Sequence, residues 1–78
     1  MNTIQRVINL VSWQVKVPTS HLCPTTNLKE DLNLDAIDML ALILYLERWF
    51  GIALTAEEVD RIETVKDASD CFNRYIAA

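Results

Sequence analysis

Leu32-Asn33-Leu34-Asp35-Ala36-Ile37-Asp38-Met39-Leu40-Ala41-Leu42-Ile43-Leu44-Tyr45-Leu46-Glu47-Arg48-Trp49-Phe50-Gly51 contains a helix written almost without interruption. Asp35 stands before the helix-forming run Ala36 to Phe50, and its carboxylate can accept a hydrogen bond from the free backbone N–H groups of a first turn. Gly51 is a natural C-terminal stop. Wound as a helix, Met39, Leu42, Ile43, Leu46, Trp49 and Phe50 gather on one side, a stripe that belongs in a core. Ile37, Leu40, Ala41 and Leu44 gather on the other, where a surface helix should be polar. Either the neighbouring elements cover this helix all round, or Ile37, Leu40 and Leu44 form a docking strip. Asp35, Asp38 and Glu47 flank the strip, and an apolar anchor rimmed by charge favours docking.

Outward from this helix the pattern stays helical. Ile4, Val7, Ile8, Val11 and Val15 recur at helical spacing and predict a first helix that ends before Pro18. From Pro18 to Leu34 no period is sustained, so this is a long loop pinned by Leu22, Leu28, Leu32 and Leu34. Thr55-Ala56-Glu57-Glu58 is a capping box that opens a short helix through about Arg61. Thr64-Val65-Lys66-Asp67 repeats that logic ahead of a last stripe, Val65, Ala68, Cys71, Phe72, Tyr75 and Ile76. No strand pattern competes. The expected fold is all-α: a four-helix bundle of three longer helices and one short one, with the long loop between helices one and two. Trp13, Trp49, Phe50, Phe72 and Tyr75 fall at helical spacing and are expected in the core, whereas Tyr45 sits on a flank between the two stripes.

The chain has 78 residues, 51% of them hydrophobic, with one Gly and two Pro, which is enough for a single domain over residues 1–78. So short a chain buries only roughly 60% of its unfolded surface, which argues against a deep, self-contained active site. Its net charge is −4, unevenly spread: residues 1 to 29 hold three cations and no acid, and all eleven acids lie beyond them against four cations. That acidic two-thirds repels phosphate backbones and excludes nucleic acid as a favoured partner; basic protein surfaces fit better. The longest apolar run, Met39 to Leu46, is far below the ~18 residues of a membrane span. With no signal-peptide pattern, Cys23 and Cys71 are expected reduced in a cytoplasmic monomer. His21-x-Cys23 with Cys71 does not supply four zinc ligands, so no metal is expected. One His, one Gly and no nucleophile-base spacing argue against an enzyme, and no catalytic residue is assigned. Asp35 and Asp38 read as helix caps before they read as an acid-base pair. Glu57, Glu58, Asp60 and Glu63 read as a solvated face.

The central stretch resembles the acyl carrier protein signature, in which Leu-Gly-x-Asp-Ser-Leu-Asp opens the second helix: here it is Leu32-Asn33-Leu34-Asp35-Ala36-Ile37-Asp38. Glu47-Arg48-Trp49-Phe50-Gly51-Ile52 is similar to the family's acidic-x-x-Phe-x-Ile segment, and Thr55-Ala56-Glu57-Glu58 and Thr64-Val65-Lys66-Asp67-Ala68 to the starts of its third and fourth helices. The resemblance covers essentially the whole chain. It implies a carrier that tethers acyl intermediates on a 4′-phosphopantetheine arm for fatty-acid or polyketide-type biosynthesis. The arm's position falls at Ala36, framed by Asp35, Ile37 and Asp38. The implied partners are a phosphopantetheinyl transferase and acyl-chain synthases and transferases with basic docking surfaces, met by Ile37, Leu40, Ala41, Leu44 and Glu47. An acyl chamber is expected to be lined by Met39, Leu42, Leu46, Ile62 and Ala68, the small Ala68 leaving space.

One departure alters the mechanism. The family attaches its arm to a serine hydroxyl at the position of Ala36, and a methyl group has no oxygen to bond to phosphorus. Thr25, Thr26 and Thr55 lie outside the motif and are poor substitutes. In a parent with serine there the arm is expected; at Ala36 none can attach. Either serine was replaced to keep the protein in one unprimed, apo form, or this is a natural relative that acts as an interaction or adaptor module. The intact surroundings of Ala36 favour replacement. Ala41 and Arg48 also stand where the family commonly has acids, which points to a narrower set of partners.

Overall fold

A computed structural model describes residues 2–77. Helix α1 spans Thr3–Val15, α2 Ala36–Phe50, α3 Ala56–Asp60 and α4 Val65–Ala77; no strand is formed among the described residues. Side chains hold the helix starts, as the sequence predicts at Asp35, Thr55 and Thr64 and, without such a prediction, at Asn2. Asn2 Oδ1 accepts from Gln5 N at 2.9 Å. At α3 the Thr55 hydroxyl accepts from Glu58 N while the Glu58 carboxylate accepts from Thr55 N. At α4 Thr64 and Asp67 do the same, with Asp67 also accepting from Glu63 N. Each exchange satisfies donors that the first helical turn leaves free. α1 and α2 both end in left-handed residues, Lys16 (φ 60°) and Gly51 (φ 66°).

α1 lies against both α2 and α4. Val7 and Val11 of α1, Leu42, Ile43 and Leu46 of α2, and Val65, Ala68 and Phe72 of α4 close the core, joined by Ile62. Phe50 and Phe72 stack with ring centroids 4.7 Å apart.

The long loop is more ordered than its composition suggests. It holds a short 3-10 turn, Thr19–His21, and it is stitched to the start of α4 by an isolated antiparallel bridge between Asn27 and Thr64. Leu28 N donates to Glu63 O at 2.8 Å, Val65 N to Thr26 O at 3.1 Å and Lys66 N to Pro24 O at 2.9 Å. Those bonds carry Leu28 into the core, where it is fully buried. Asn27 braces the turn that follows by accepting from Lys29 N and Glu30 N. Asn33, in the left-handed region at φ 56°, then turns the chain toward α2.

Three of the aromatic residues expected in the core are outside it. Trp13 is 78% exposed, Trp49 61% and Tyr75 41%. At 3.6 residues per turn Trp13 falls on the side of α1 opposite the Val7, Ile8 and Val11 stripe, Trp49 falls at the edge of the α2 stripe, and Tyr75 falls in the last turn of α4. Tyr45 is half-buried and meets Trp49 edge to face. No helix among the described residues is long and apolar enough to cross a membrane.

Candidate functional site

The site forms where the loop delivers Asp35 to the start of α2. Asp35 is extended (φ −86°, ψ −177°), so its side chain folds forward over the first turn and accepts from Asp38 N at 2.8 Å. Asp38 reaches back and accepts from Asp35 N at 3.2 Å. Both carboxylates are thus engaged in capping, a use that keeps the first turn rigid and its side chains in fixed directions. Ala36 is exposed in that turn.

The outward face of α2 is uncovered. Ile37 is 77% exposed, Leu40 and Leu44 are more than half exposed, and Ala41 lies among them on the surface. No element of the bundle covers these side chains, so the fold leaves an apolar strip beginning one residue after Ala36. Asp35 and Asp38 are exposed at its head. Glu47, named from the sequence as part of the acidic rim, is half-buried, and its Oε2 accepts from Leu54 N at 2.6 Å. Its carboxylate ties down the loop after α2.

Beside Ala36 a groove of about 250 Å³ opens between α2 and the α3 region, lined by Ala36, Met39, Leu40, Ile43, Val59 and Ile62, with Lys29 and Asp60 at its polar edges. Of the five residues expected to line an acyl chamber, the structure brings Met39 and Ile62 to this groove. Leu42, Leu46 and Ala68 are completely buried in the core and do not line it. Ile43 and Val59 complete the apolar lining. Ile43 was legible only as core, and Lys29 carried no signal because its position depends on the path of the loop.

The chemistry available at this site is narrow. Ala36 has no nucleophilic atom. Thr55 Oγ1 caps α3, and Thr26, which is buried, accepts from Cys23 N at 2.9 Å. Thr25 is exposed and contacts Cys23 Sγ. The hydroxyls of Thr25 and Thr26, with the neighbouring backbone N–H groups, bring the exposed Cys23 thiol down to about 7. Burial pushes Cys71 upward. The two cysteines are not joined. Glu58 is held below its ordinary value chiefly by Thr55 N–H and by the Tyr75 hydroxyl, which donates to it at 2.6 Å. No group of three or more His, Cys, Asp or Glu side chains that could hold a metal ion occurs among the described residues.

Comparison with known proteins adds the relationship. Residues 5–72 match the family described as "Phosphopantetheine attachment site". An acyl carrier protein of Thermosynechococcus vestitus is 35% identical over 75 residues, 96% of this chain and 93% of that one. An acyl carrier protein of Helicobacter hepaticus is 37% identical over 67 residues, 86% of this chain and 88% of that one. The solved structure of an Enterococcus faecalis acyl carrier protein noted for high thermal stability superposes with a TM-score of 0.74 at 31% identity, covering 92% of this chain and 95% of the other.

Proposed function

The chain belongs to the phosphopantetheine-attachment family, that of the acyl carrier proteins, and from that premise we propose that it is a carrier scaffold held unprimed by Ala36. Members of this family are carriers rather than enzymes, and their prosthetic group is 4′-phosphopantetheine. The group does not fit this chain covalently. The arm requires an oxygen on the residue after Asp35, and Ala36 ends in a methyl group. Where serine occupies that position, the scaffold serves acyl transfer of the fatty-acid or polyketide type. With Ala36 in place it retains only the part of the function that lives on its surface, docking.

The observation that carries this reading is the intact start of α2. The reciprocal Asp35 and Asp38 capping bonds and the exposed Ile37, Leu40 and Leu44 strip are what a docking enzyme needs, and they surround a position that cannot be modified. The strip supplies apolar contact, while Asp35 and Asp38 suit basic side chains on a phosphopantetheinyl transferase or an acyl-chain synthase or transferase. Met39 and Ile62, with Leu40, Ile43 and Val59, form the groove beside Ala36 in which the head of an acyl chain fits. A longer chain would have to enter the core in which Leu42, Leu46 and Ala68 are buried. A second reading, an adaptor that has never carried anything, is supported by Ala36 itself and uses the same strip.

Mass spectrometry after incubation with a broad-specificity phosphopantetheinyl transferase and coenzyme A separates the two. Ala36→Ser is expected to gain about 340 Da, the mass of the arm, and the chain with Ala36 to gain nothing. A folded Ala36→Ser variant that stays unmodified removes the carrier reading and leaves the adaptor.

A further inference from the structure

Both tryptophans of the chain stand outside the core, and they stand together. A depression of about 470 Å³ lies between Trp13 of α1 and Trp49 of α2, completed by Tyr45 and Arg48. A second, of about 200 Å³, continues from Trp49 toward Arg6, and a third, of about 430 Å³, from Trp13 toward Lys16. Each tryptophan is shared by two depressions, so the three form one surface. Tyr45 packs edge to face on Trp49 with centroids 6.2 Å apart, and the Arg6 guanidinium sits 4.5 Å over the Phe50 ring. These contacts hold both an aromatic wall and a cation in place. At 78% and 61% exposure, the two tryptophans alone offer roughly 300 Å² of surface, as large as a typical functional patch.

The charge on this surface is opposite to that of the molecule. Arg6, Lys16 and Arg48 border it, and no Asp or Glu lines any of the three depressions. The ion pairs among the described residues lie elsewhere, Lys66 with Asp70 and Arg74 with Glu58. Three of the seven cations are therefore gathered on this face of a chain of net charge −4, and Arg6 also borders a neighbouring depression where Asp70 is paired with Lys66. We propose that this face is a binding site for an acidic segment of a protein partner, one that presents a large apolar side chain flanked by Asp or Glu.

Each part of that partner follows from the surface. Tryptophan, tyrosine and arginine are the residues that dominate protein interfaces, and the depression between Trp13 and Trp49 receives one apolar side chain. The three cations select carboxylates around it. A second copy of this chain on the same face would set three cations against three, a costly arrangement. An anionic bilayer is a plane that meets the field of the whole acidic molecule, whereas a short segment meets the basic face alone. The face is built from α1 and the last two turns of α2, away from Ala36, so the inference stands whatever the fate of the attachment position.

Selection of short random peptides displayed on phage against this chain, with the Trp13→Ala/Trp49→Ala double variant as counter-selection, tests it. Enriched peptides are expected to carry Leu, Phe or Trp flanked by two or more acids. Their binding, followed by tryptophan emission, is expected to weaken about tenfold or more in Arg48→Glu and to weaken as salt is raised, while Leu40→Ser leaves it unchanged. Circular dichroism of each variant establishes folding; Arg48, an exposed surface residue, gives the variant least able to disturb the core. Enrichment of basic or uncharged peptides, or equal binding by Arg48→Glu, overturns the proposal. So does tryptophan emission that responds to phosphatidylglycerol vesicles and not to the peptides, or self-association that Trp13→Ala abolishes.

Discussion

Ile37→Ser separates docking from folding more cleanly than any other change on α2. Full burial of an isoleucine side chain stabilises by about 1.5–3 kcal/mol. Ile37 is 77% exposed, so about 1–2 kcal/mol of that is still available to a partner, and about 0.5 kcal/mol is realised within the fold. Serine and isoleucine have similar helix propensities, and the Asp35 and Asp38 capping bonds do not involve the Ile37 side chain. Binding of the variant to a phosphopantetheinyl transferase or an acyl transferase, measured by titration calorimetry, is therefore expected to weaken about 5- to 30-fold. Urea denaturation is expected to move by well under 1 kcal/mol. The opposite pattern, a destabilised protein with unchanged affinity, refutes the reasoning, because it would mean that the strip is covered within the folded protein.

Further outcomes follow from the core and from the perturbed groups. Leu42→Ala, at a fully buried position, is expected to cost about 2–5 kcal/mol in chemical denaturation, without altering the surface that partners meet. The Thr64 N–H, with that of Glu63, holds Asp67 below its ordinary value of 3.8. Stability from this group is full above that value and is lost as pH falls through the lower, folded-state value. Asp67→Asn is thus expected to flatten the acid limb of a stability profile below about pH 4, and an unchanged limb would show that the capping bonds contribute nothing. Cys23, with its thiol near 7, is expected to react with iodoacetamide at neutral pH much faster than the buried Cys71, and Thr25→Val to slow it.

The helices were legible because their ends are marked by local chemistry. Asp35 and Gly51 bound α2 at Ala36 and Phe50, and the Thr55 and Thr64 boxes open α3 and α4 where their spacing says they should. The acids of those boxes and the start of α2 needed only the rules of a single turn. What depended on distant packing was less legible. The expectation for Trp13 rested on its size, since the period of α1 places it opposite Val7, Ile8 and Val11, while for Trp49 and Tyr75 the period cannot say how far a neighbouring helix reaches. Nor does it distinguish Met39, which meets the groove, from Leu42 and Leu46, which are sealed in. Glu47 looked like a surface acid until the chain after Gly51 turned back to place Leu54 N within its reach. Leu28 could be named as a pin but not as core, since only the bonds to Glu63, Thr26 and Pro24 fix where the loop runs.

Helix α3 has five residues and hangs between two moorings. Before it, the Glu47 carboxylate grips Leu54 N; after it, Glu63 O is taken by Leu28 N. A helix of one turn has almost no stability of its own, so its resting place is set by those anchors, by the Tyr75 hydroxyl of α4 donating to Glu58, and by Val59 and Ile62 against the groove. A lift of α3 that widened the groove would break fewer buried contacts than a separation of α2 from the rest of the core. The ties that such a lift strains are those of Glu47, Leu28 and the Glu58–Tyr75 pair, none of which lines the groove. Access to the space beside Ala36 is thereby adjustable at a distance, by residues that never touch whatever enters it.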